Sequence, residues 1–463
     1  MLTQFVVVAN RLPVRQVVRK SSAAWRRSPG GLVAALAPVL REASGMWVGW
    51  SGTAGAAPDP FEQDGIRNVP VPVSESEIAG FYEGFCNRTL WPLYHDVLRP
   101  PRFERAWWKD YVSVNRRFAE AAAGVASSSG TVWIHDYHLQ LVPAMLRAMR
   151  PDLRIGFFLH IPFPPIELFA KLPWRNAILE GLLGADVVGF QTRLAAANFR
   201  SLCRRFCGVR QRNRKLRLAQ RDVEVSAFPI SIDVETFETL AARPDIVQRA
   251  TELKRSILDK RIFLGVDRLD YTKGIDIRLH AWGEMLNSRT NGAVSDCVFL
   301  QIAVPSRERV PAYRETRARV ERTVGEINGR FAAIGSPVIH YMRRDYPRDE
   351  LVALYSAADV MVVTPLRDGM NLVAKEYVAC RRDSTGVLVL SEFTGAAAEL
   401  SSALLVNPFD IDGLAHSMQR ALDMPADEQR QRMRVMKRAL HRNTVFDWAR
   451  SFLTTLDNSN GAS

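Results

Sequence analysis

A chain of 463 residues, 47% apolar and 24% charged, is too long for one ordinary core and too evenly mixed for a fibrous or disordered protein, so two domains of roughly 200 residues are expected. Its net charge of +13, from 62 Lys and Arg against 49 Asp and Glu, favours anionic partners. No apolar stretch is long enough to span a bilayer, and five scattered cysteines without C-x-x-C pairs argue for reduced thiols in the cytoplasm rather than a disulfide framework.

The opening MLTQFVVVANRLPV has no basic leader and no cleavage pattern, and reads as a first strand. GGLVAALAPVLREA follows as a helix, then GMWVGWSG and GTVWIHDYH as strands and LQLVPAMLRAMR as a helix. RIGFFLHIPFP is a strand ending in prolines, ELFAKLPWRNAILEGLLGA a helix, and DVVGFQT and EVSAFPISID two more strands. Between the last two lies RRFCGVRQRNRKLRLAQR, residues 204–221, strongly basic and without a periodic core face; it reads as a solvated flexible loop. A nucleic-acid arm would interleave aromatics with the cations, and only Phe206 is there, so no nucleic-acid partner is assigned.

Residues 234–258 form a charged helical connection, after which the strand–helix rhythm restarts. RIFLGVDRLDYTKGI, DCVFLQIAVPS, PVIHYMRR, DVMVVTPLRDG, GVLVLSEF and ALLVNPFD each carry a strand. Strands alternating with helices imply right-handed crossovers and mainly parallel sheets. The fold class is therefore α/β, with two Rossmann-like halves facing across a cleft.

Several apparent motifs fail on spacing. DRLDYT separates Asp267 and Asp270 by two residues where a phosphatase nucleophile loop has one. HDYH places His135 and His138 at a strand end with no third metal ligand in view, and the DID of residues 410–412 is a triplet common by chance. No G-x-S-x-G, Walker A or G-x-G-x-x-G is present.

The chemistry-bearing residues that remain stand at strand ends. Arg268 and Lys273 follow one strand, Arg307 and Arg309 another, and LRDGMNLVAKE places the N–H groups of Gly369, Met370 and Asn371 at a helix start. Fixed cations and a helix N-terminus together suit a diphosphate. Asp368 and Glu376 are eight residues apart, roughly 12 Å along a helix. That is too far for an acid/base pair on one bond, where carboxyl groups stand about 5–9.5 Å apart. The spacing suits contacts to hydroxyls at the two ends of a nucleotide sugar. In the first half, Arg11 ends the first strand, and Gly30 and Gly31 allow close approach of a ligand. Tyr82 and Trp91 lie in FYEGFCNRTLWPLYH, which no amphipathic template explains; core packing and a sugar-stacking platform both stay open. Asp136 and His160 each follow an apolar run and should emerge at one sheet edge.

VVVANRLPV, SPGGLVAAL, WVGWSG, FYEGFCNRTLWPLYH, WIHDYHLQLVP, RIGFFLHIPFPP, LLGADVVGFQT, VDRLDYTKGI, VTPLRDGMNLVAKEYVA and SEFTGAAAEL resemble the trehalose-6-phosphate synthases, in order, from about residue 5 to about residue 455. The resemblance implies the GT-B fold and metal-free, retaining transfer of glucose from a nucleoside diphosphate glucose to glucose 6-phosphate. It implies an acceptor-binding domain at residues 1–233, a nucleotide-sugar-binding domain at 234–439, and a last helix near 440–457 packing back on the first. By the same resemblance Arg11, Tyr82, Trp91 and Arg307 would hold the acceptor and its phosphate, and Asp136 would contact the acceptor sugar. The Gly30–Gly31 loop would close over the donor, and Arg268 and Lys273 would grip its diphosphate. Asp368, with Gly369, Met370, Asn371, Leu372 and Val373, would hold the transferred glucose, and Glu376 the ribose. His160 would sit beside the donor sugar, and Tyr346 and Leu351 at the base. Asp136, His160, Arg268, Lys273 and Asp368 form the implied catalytic set. No cofactor is implied, and the expected partners are these small molecules, with neither nucleic acid nor membrane; a homo-oligomer stays open. A pseudo-glycosyltransferase or a silent sugar-phosphate sensor would be expected to lose Arg268, Lys273 or Glu376 or to alter RDGMNLVAKE, and this sequence does neither.

Overall fold

The computed structural model describes residues 2–19, 22–27, 31–96, 99–289 and 296–459. The chain divides into two compact units, one of Met1–Ile230 with Val445–Ser463 and one of Ser231–Thr444.

In the first unit the strands are β1 (Thr3–Arg11), β2 (Val14–Arg19), β3 (Ser22–Arg27), β4 (Met46–Trp50), β5 (Phe61–Gln63), β6 (Ile66–Pro70), β7 (Ala126–His135), β8 (Arg154–Phe158), β9 (Val187–Phe190), β10 (Arg210–Arg212), β11 (Lys215–Arg217) and β12 (Asp222–Ala227). Ten of them make one sheet in the order β10-β11-β12-β9-β8-β7-β1-β4-β6-β5. From β12 to β6 all pairs are parallel, and the margins β10–β11–β12 and β5–β6 are antiparallel. Continuous burial of Val6, Val7 and Val8 in β1 and of all of β4 is what a parallel strand covered on both faces requires. The helix Val445–Ser459 completes this unit: Trp448 and Phe452 lie against Trp133, with ring centroids 5.0 and 4.4 Å away. Gly156 in β8 makes that fit, because a Cβ there would stand 2.6 Å from the Phe452 ring.

In the second unit β13 (Arg261–Arg268), β14 (Cys297–Val304), β15 (Ile339–Met342), β16 (Val360–Val363), β17 (Val387–Ser391) and β18 (Leu404–Val406) form an all-parallel sheet. Its order is β15-β14-β13-β16-β17-β18, and its core is built on Phe263, Trp282, Phe299, Val360 and their neighbours. Both sheets are doubly wound from their first strand: the chain steps outward one way from β1 or β13, then returns to the other side at β7 or β16. Each therefore has a switch point, between β1 and β7 and between β13 and β16, where loops part and ligands bind in such sheets.

Two sequence expectations are corrected, and one stretch that fitted no template is resolved. The basic stretch 204–221 is no loop: residues 204–207 end the helix Arg193–Cys207, left-handed Gly208 stops it, and β10–β11 form a hairpin joined to β12. Its strands are three residues long with Leu216 alone buried, too short to show alternation. The stretch no template explained is a thirteen-residue π-helix, Ile78–Leu90, in which i→i+5 bonding sets a spacing that matches neither helical nor strand periodicity. ELFAKLPWRNAILEGLLGA is two helices, Ile166–Phe169 and Arg175–Leu182, parted around Pro173.

Candidate active site

At the switch point of the second unit, the loop after β13 and the loop after β16 meet. Lys273 Nζ lies 2.5 Å from Asp368 Oδ2, both nearly buried, and Asn371 Nδ2 donates to the same oxygen at 3.2 Å. Asn371 also caps the helix Leu372–Cys380, accepting the Ala374 N–H on its Oδ1 at 3.1 Å, from a backbone with φ 149°. Behind them Asp368 N–H donates to Phe393 O at 3.1 Å and Gly395 N–H to Asp368 O at 3.3 Å, so the carboxylate is held by its own backbone as well. Gly395 lies flat against the Gly369 carbonyl, where a Cβ has no room.

Asp270, which sequence reasoning passed over as part of a failed motif, organises the cations of this loop. Its Oδ2 takes Arg307 Nη1 at 3.1 Å and the Tyr313 hydroxyl at 3.0 Å, and its Oδ1 takes the Thr272 N–H at 3.0 Å. Burial pushes its carboxyl pKa up, but Arg307, then Arg268 and the Thr272 N–H, outweigh burial and hold it below the usual range. Arg307 is itself at φ 49°, a left-handed conformation rarely taken by arginine. Arg268 ends β13, exposed. Asp267 is occupied elsewhere, 2.7 Å from the fully buried Arg278. Asp410 merely caps its helix through Gly413 N–H.

Further along the helix Leu372–Cys380, Glu376 Oε2 accepts the Tyr355 hydroxyl at 3.0 Å, and burial raises its pKa. Leu372 and Val373, half-buried, open the first turn. Lys375 between them is fully buried and lies 2.8 Å from Glu399, whose other oxygen accepts Asn443 Nδ2 at 3.1 Å. Tyr346 and Leu351 are half-buried, and the Tyr346 hydroxyl accepts from Arg344 Nη2 at 2.8 Å. Tyr346 and Arg344 line a cavity of about 560 Å³ with Leu300, His340 and Met342.

At the switch point of the first unit, Arg11 at the end of β1 lays its guanidinium over Trp50 at 3.9 Å and over Tyr82 at 5.4 Å. Tyr82 stacks on His138 with centroids 6.0 Å apart, and His138 packs on Tyr137, which meets Trp91 at 5.6 Å. Tyr82 is half-buried and Trp91 nearly fully buried behind it. Asp136 follows β7 at φ 76°, with its Oδ1 accepting His160 N–H at 3.3 Å. His135 Nδ1 stands 3.2 Å from His160 Nε2. Burial pushes His160 down to about 3 and His135 well below its usual value. Gly31 opens the helix Gly31–Glu42, while Gly30 lies outside the described residues. The structure thus gathers Arg11, Tyr82, Asp136 and His160 at one sheet edge with Trp91 packed behind them, and Arg268, Lys273, Arg307, Asp368 and Asn371 at the other sheet's switch point. Trp50, Asp270 and Tyr355 join them unannounced, since only contacts distant in sequence define their roles.

Two doubly wound α/β units, one with a cation–carboxylate cluster beside a capped helix start at its switch point, make this enzyme a glycosyltransferase of the GT-B class. A family model for glycosyltransferase family 20 matches residues 3–458. The trehalose-6-phosphate synthase of Mycobacterium avium (strain 104) is 54% identical over 472 residues, covering 99% of this chain and 96% of that one. The crystal structure of an α,α-trehalose-phosphate synthase (UDP-forming) from Burkholderia vietnamiensis superposes with TM-score 0.90 at 34% identity, over 99% of both chains. One from Burkholderia xenovorans, in complex with glucose-6-phosphate, gives TM-score 0.90 at 35% identity over 98% of this chain and 100% of that one. The chain belongs to glycosyltransferase family 20.

Proposed function

We propose that this enzyme is an α,α-trehalose-6-phosphate synthase, transferring glucose with retention from a nucleoside diphosphate glucose, UDP- or GDP-glucose, to glucose 6-phosphate. The observation that carries this reading is the Lys273–Asp368 pair at the switch point of the second sheet, beside the Asn371-capped helix. It is supported by the relatives whose names specify a UDP-forming reaction and a glucose-6-phosphate complex.

In this reading the second unit holds the donor. Arg268 and Lys273 bind the diphosphate, and Asp368 with the backbone of Gly369, Met370 and Asn371 binds the glucose. Glu376 binds the ribose, with Tyr346 and Leu351 at the base. The first unit holds the acceptor through Arg11, Tyr82, Trp91 and Asp136, with His160 and the Gly30–Gly31 segment toward the donor sugar. Arg307, anchored by Asp270 and Tyr313, is assigned to the acceptor phosphate. The bond from the donor anomeric carbon to the diphosphate oxygen breaks as the bond to the acceptor hydroxyl forms on the same face. The acceptor proton passes to the departing diphosphate, whose growing charge Arg268 and Lys273 stabilise.

The test is nucleoside diphosphate release from UDP-glucose and GDP-glucose, each with and without glucose 6-phosphate, in the presence of chelator. Release that requires glucose 6-phosphate and survives chelation is expected; no release from either donor would overturn the reading.

A further inference from the structure

His135 is the last residue of β7, fully buried, and neither family resemblance nor strand-end position gives it a task. Its Nδ1 stands 3.2 Å from His160 Nε2, its Nε2 is buried without a hydrogen-bond partner among the described residues, and the rings of Trp133 and Phe158 pack around it at 4.8 and 6.5 Å. The contact turns the His160 ring so that Nε2 faces inward and Nδ1 is the one ring nitrogen left to meet a ligand.

Both rings are neutral at physiological pH, because burial depresses both pKa values. Each neutral ring carries one proton, and one hydrogen bond joins them, which leaves two arrangements. If His160 Nε2 donated, the proton of His135 would be on Nε2, a buried N–H with no acceptor among the described residues. If His135 Nδ1 donates, the orphan is a bare nitrogen among apolar rings. Buried N–H groups without acceptors are the rarer orphan in folded proteins, and the second arrangement is favoured.

We propose that His135 is a positioning residue that fixes His160 as its Nδ1–H tautomer, so that His160 presents a neutral N–H donor to an oxygen of the bound donor sugar. The sugar contact rests on the function proposed above; the tautomer does not. A neutral imidazole fixed in this way donates to a hydroxyl oxygen without placing a cation where positive charge builds on the anomeric carbon.

The test separates the two. Nitrogen-15 spectra of histidine-labelled protein, with His160 assigned by comparison with His160→Gln, should show a protonated Nδ1 and a bare Nε2 on His160. In His135→Phe the two tautomers should mix, and kcat/KM for the donor should fall about tenfold, the scale of one lost hydrogen bond, with KM for glucose 6-phosphate unchanged. His135→Asn, which puts an amide N–H where Nδ1 was, should restore both the spectrum and most of the rate. A bare Nδ1 on wild-type His160, or His135→Asn no better than His135→Phe, would overturn the proposal. Absence of transferase activity in the wild type would overturn the functional reading and leave the tautomer to be decided by the spectra alone.

Discussion

Asp270 shows how much a single carboxylate can organise. It is fully buried, accepts hydrogen bonds from the Thr272 N–H and hydroxyl, the Tyr313 hydroxyl and Arg307, and its depressed pKa makes it a source of stability with a defined pH range. An Asp whose folded pKa lies below the unfolded value stabilises above about pH 3.9 and loses that contribution as pH falls through its folded pKa. The stability difference between wild type and Asp270→Asn, measured by urea unfolding, should therefore be constant near neutrality and shrink below about pH 4; a difference that persists unchanged into acid would contradict it. Arg268 and Lys273 are proposed to act on the reaction rather than the fold. Arg268→Ala or Lys273→Ala should lower turnover about 100-fold or more while circular dichroism stays native, since removing one stabilising donor typically costs about 10²–10³ in kcat. Near-normal turnover would sink their assignment to the diphosphate. These two cations were legible in the sequence because they directly follow an apolar strand. Asp270 and His135 were not, because Arg307 lies 37 residues from the one and His160 lies 25 from the other.

The helix Leu372–Cys380 couples the site to its support. In the proposed reading Glu376 and Asn371 contact the donor, while Lys375, next to Glu376 in the chain, is bolted to Glu399, just past the turn Gly395–Ala398, whose Gly395 N–H donates to Asp368 O. Removing one member of a buried ion pair strands the other, at a cost of about 3–5 kcal/mol. Lys375→Met should approach that loss in chemical denaturation, reduced here because Glu399 keeps some exposure and its bond to Asn443; Lys375→Met with Glu399→Gln should recover part of it. A double variant no more stable than the single would contradict the pairing. Gly395→Ala should push the loop from Gly369, destabilising by about 1–3 kcal/mol as overpacking does and weakening donor binding, read from KM, more than acceptor binding. The strand–helix rhythm was legible wherever a strand was buried on both faces, as in β1, β13 and β16. The hairpin β10–β11 and the π-helix were not, because strands of three residues are too short to show alternation and i→i+5 spacing matches no amphipathic pattern.

Across the whole molecule, the alternation of elements announced parallel sheets, but not their order: that both switch points fall beside Arg11 and Asp136 and beside Lys273 and Asp368 follows from crossovers no local pattern records. The net charge was legible from the start, and it has a kinetic consequence. Raising ionic strength from about 0.01 M to about 0.15 M shortens the Debye length from about 30 Å to about 8 Å. With an excess of cations and the two anionic substrates proposed above, kcat/KM should fall over that range while kcat at saturation changes little. A flat salt profile would mean that the surplus charge lies too far from the site to steer them.

The return of Val445–Ser463 to the first unit also sets an order of events during synthesis. The pocket under Gly156 waits for Phe452, so the earlier-made unit stays unfinished while all of Ser231–Thr444 emerges from the ribosome. At about 5–20 residues per second, that wait is on the order of 10–40 s. The later-made unit is contiguous and can close first, leaving the amino-terminal sheet with an exposed apolar seam until the last helix arrives. Chaperone dependence and aggregation during expression should accordingly concentrate in the older half of the nascent chain.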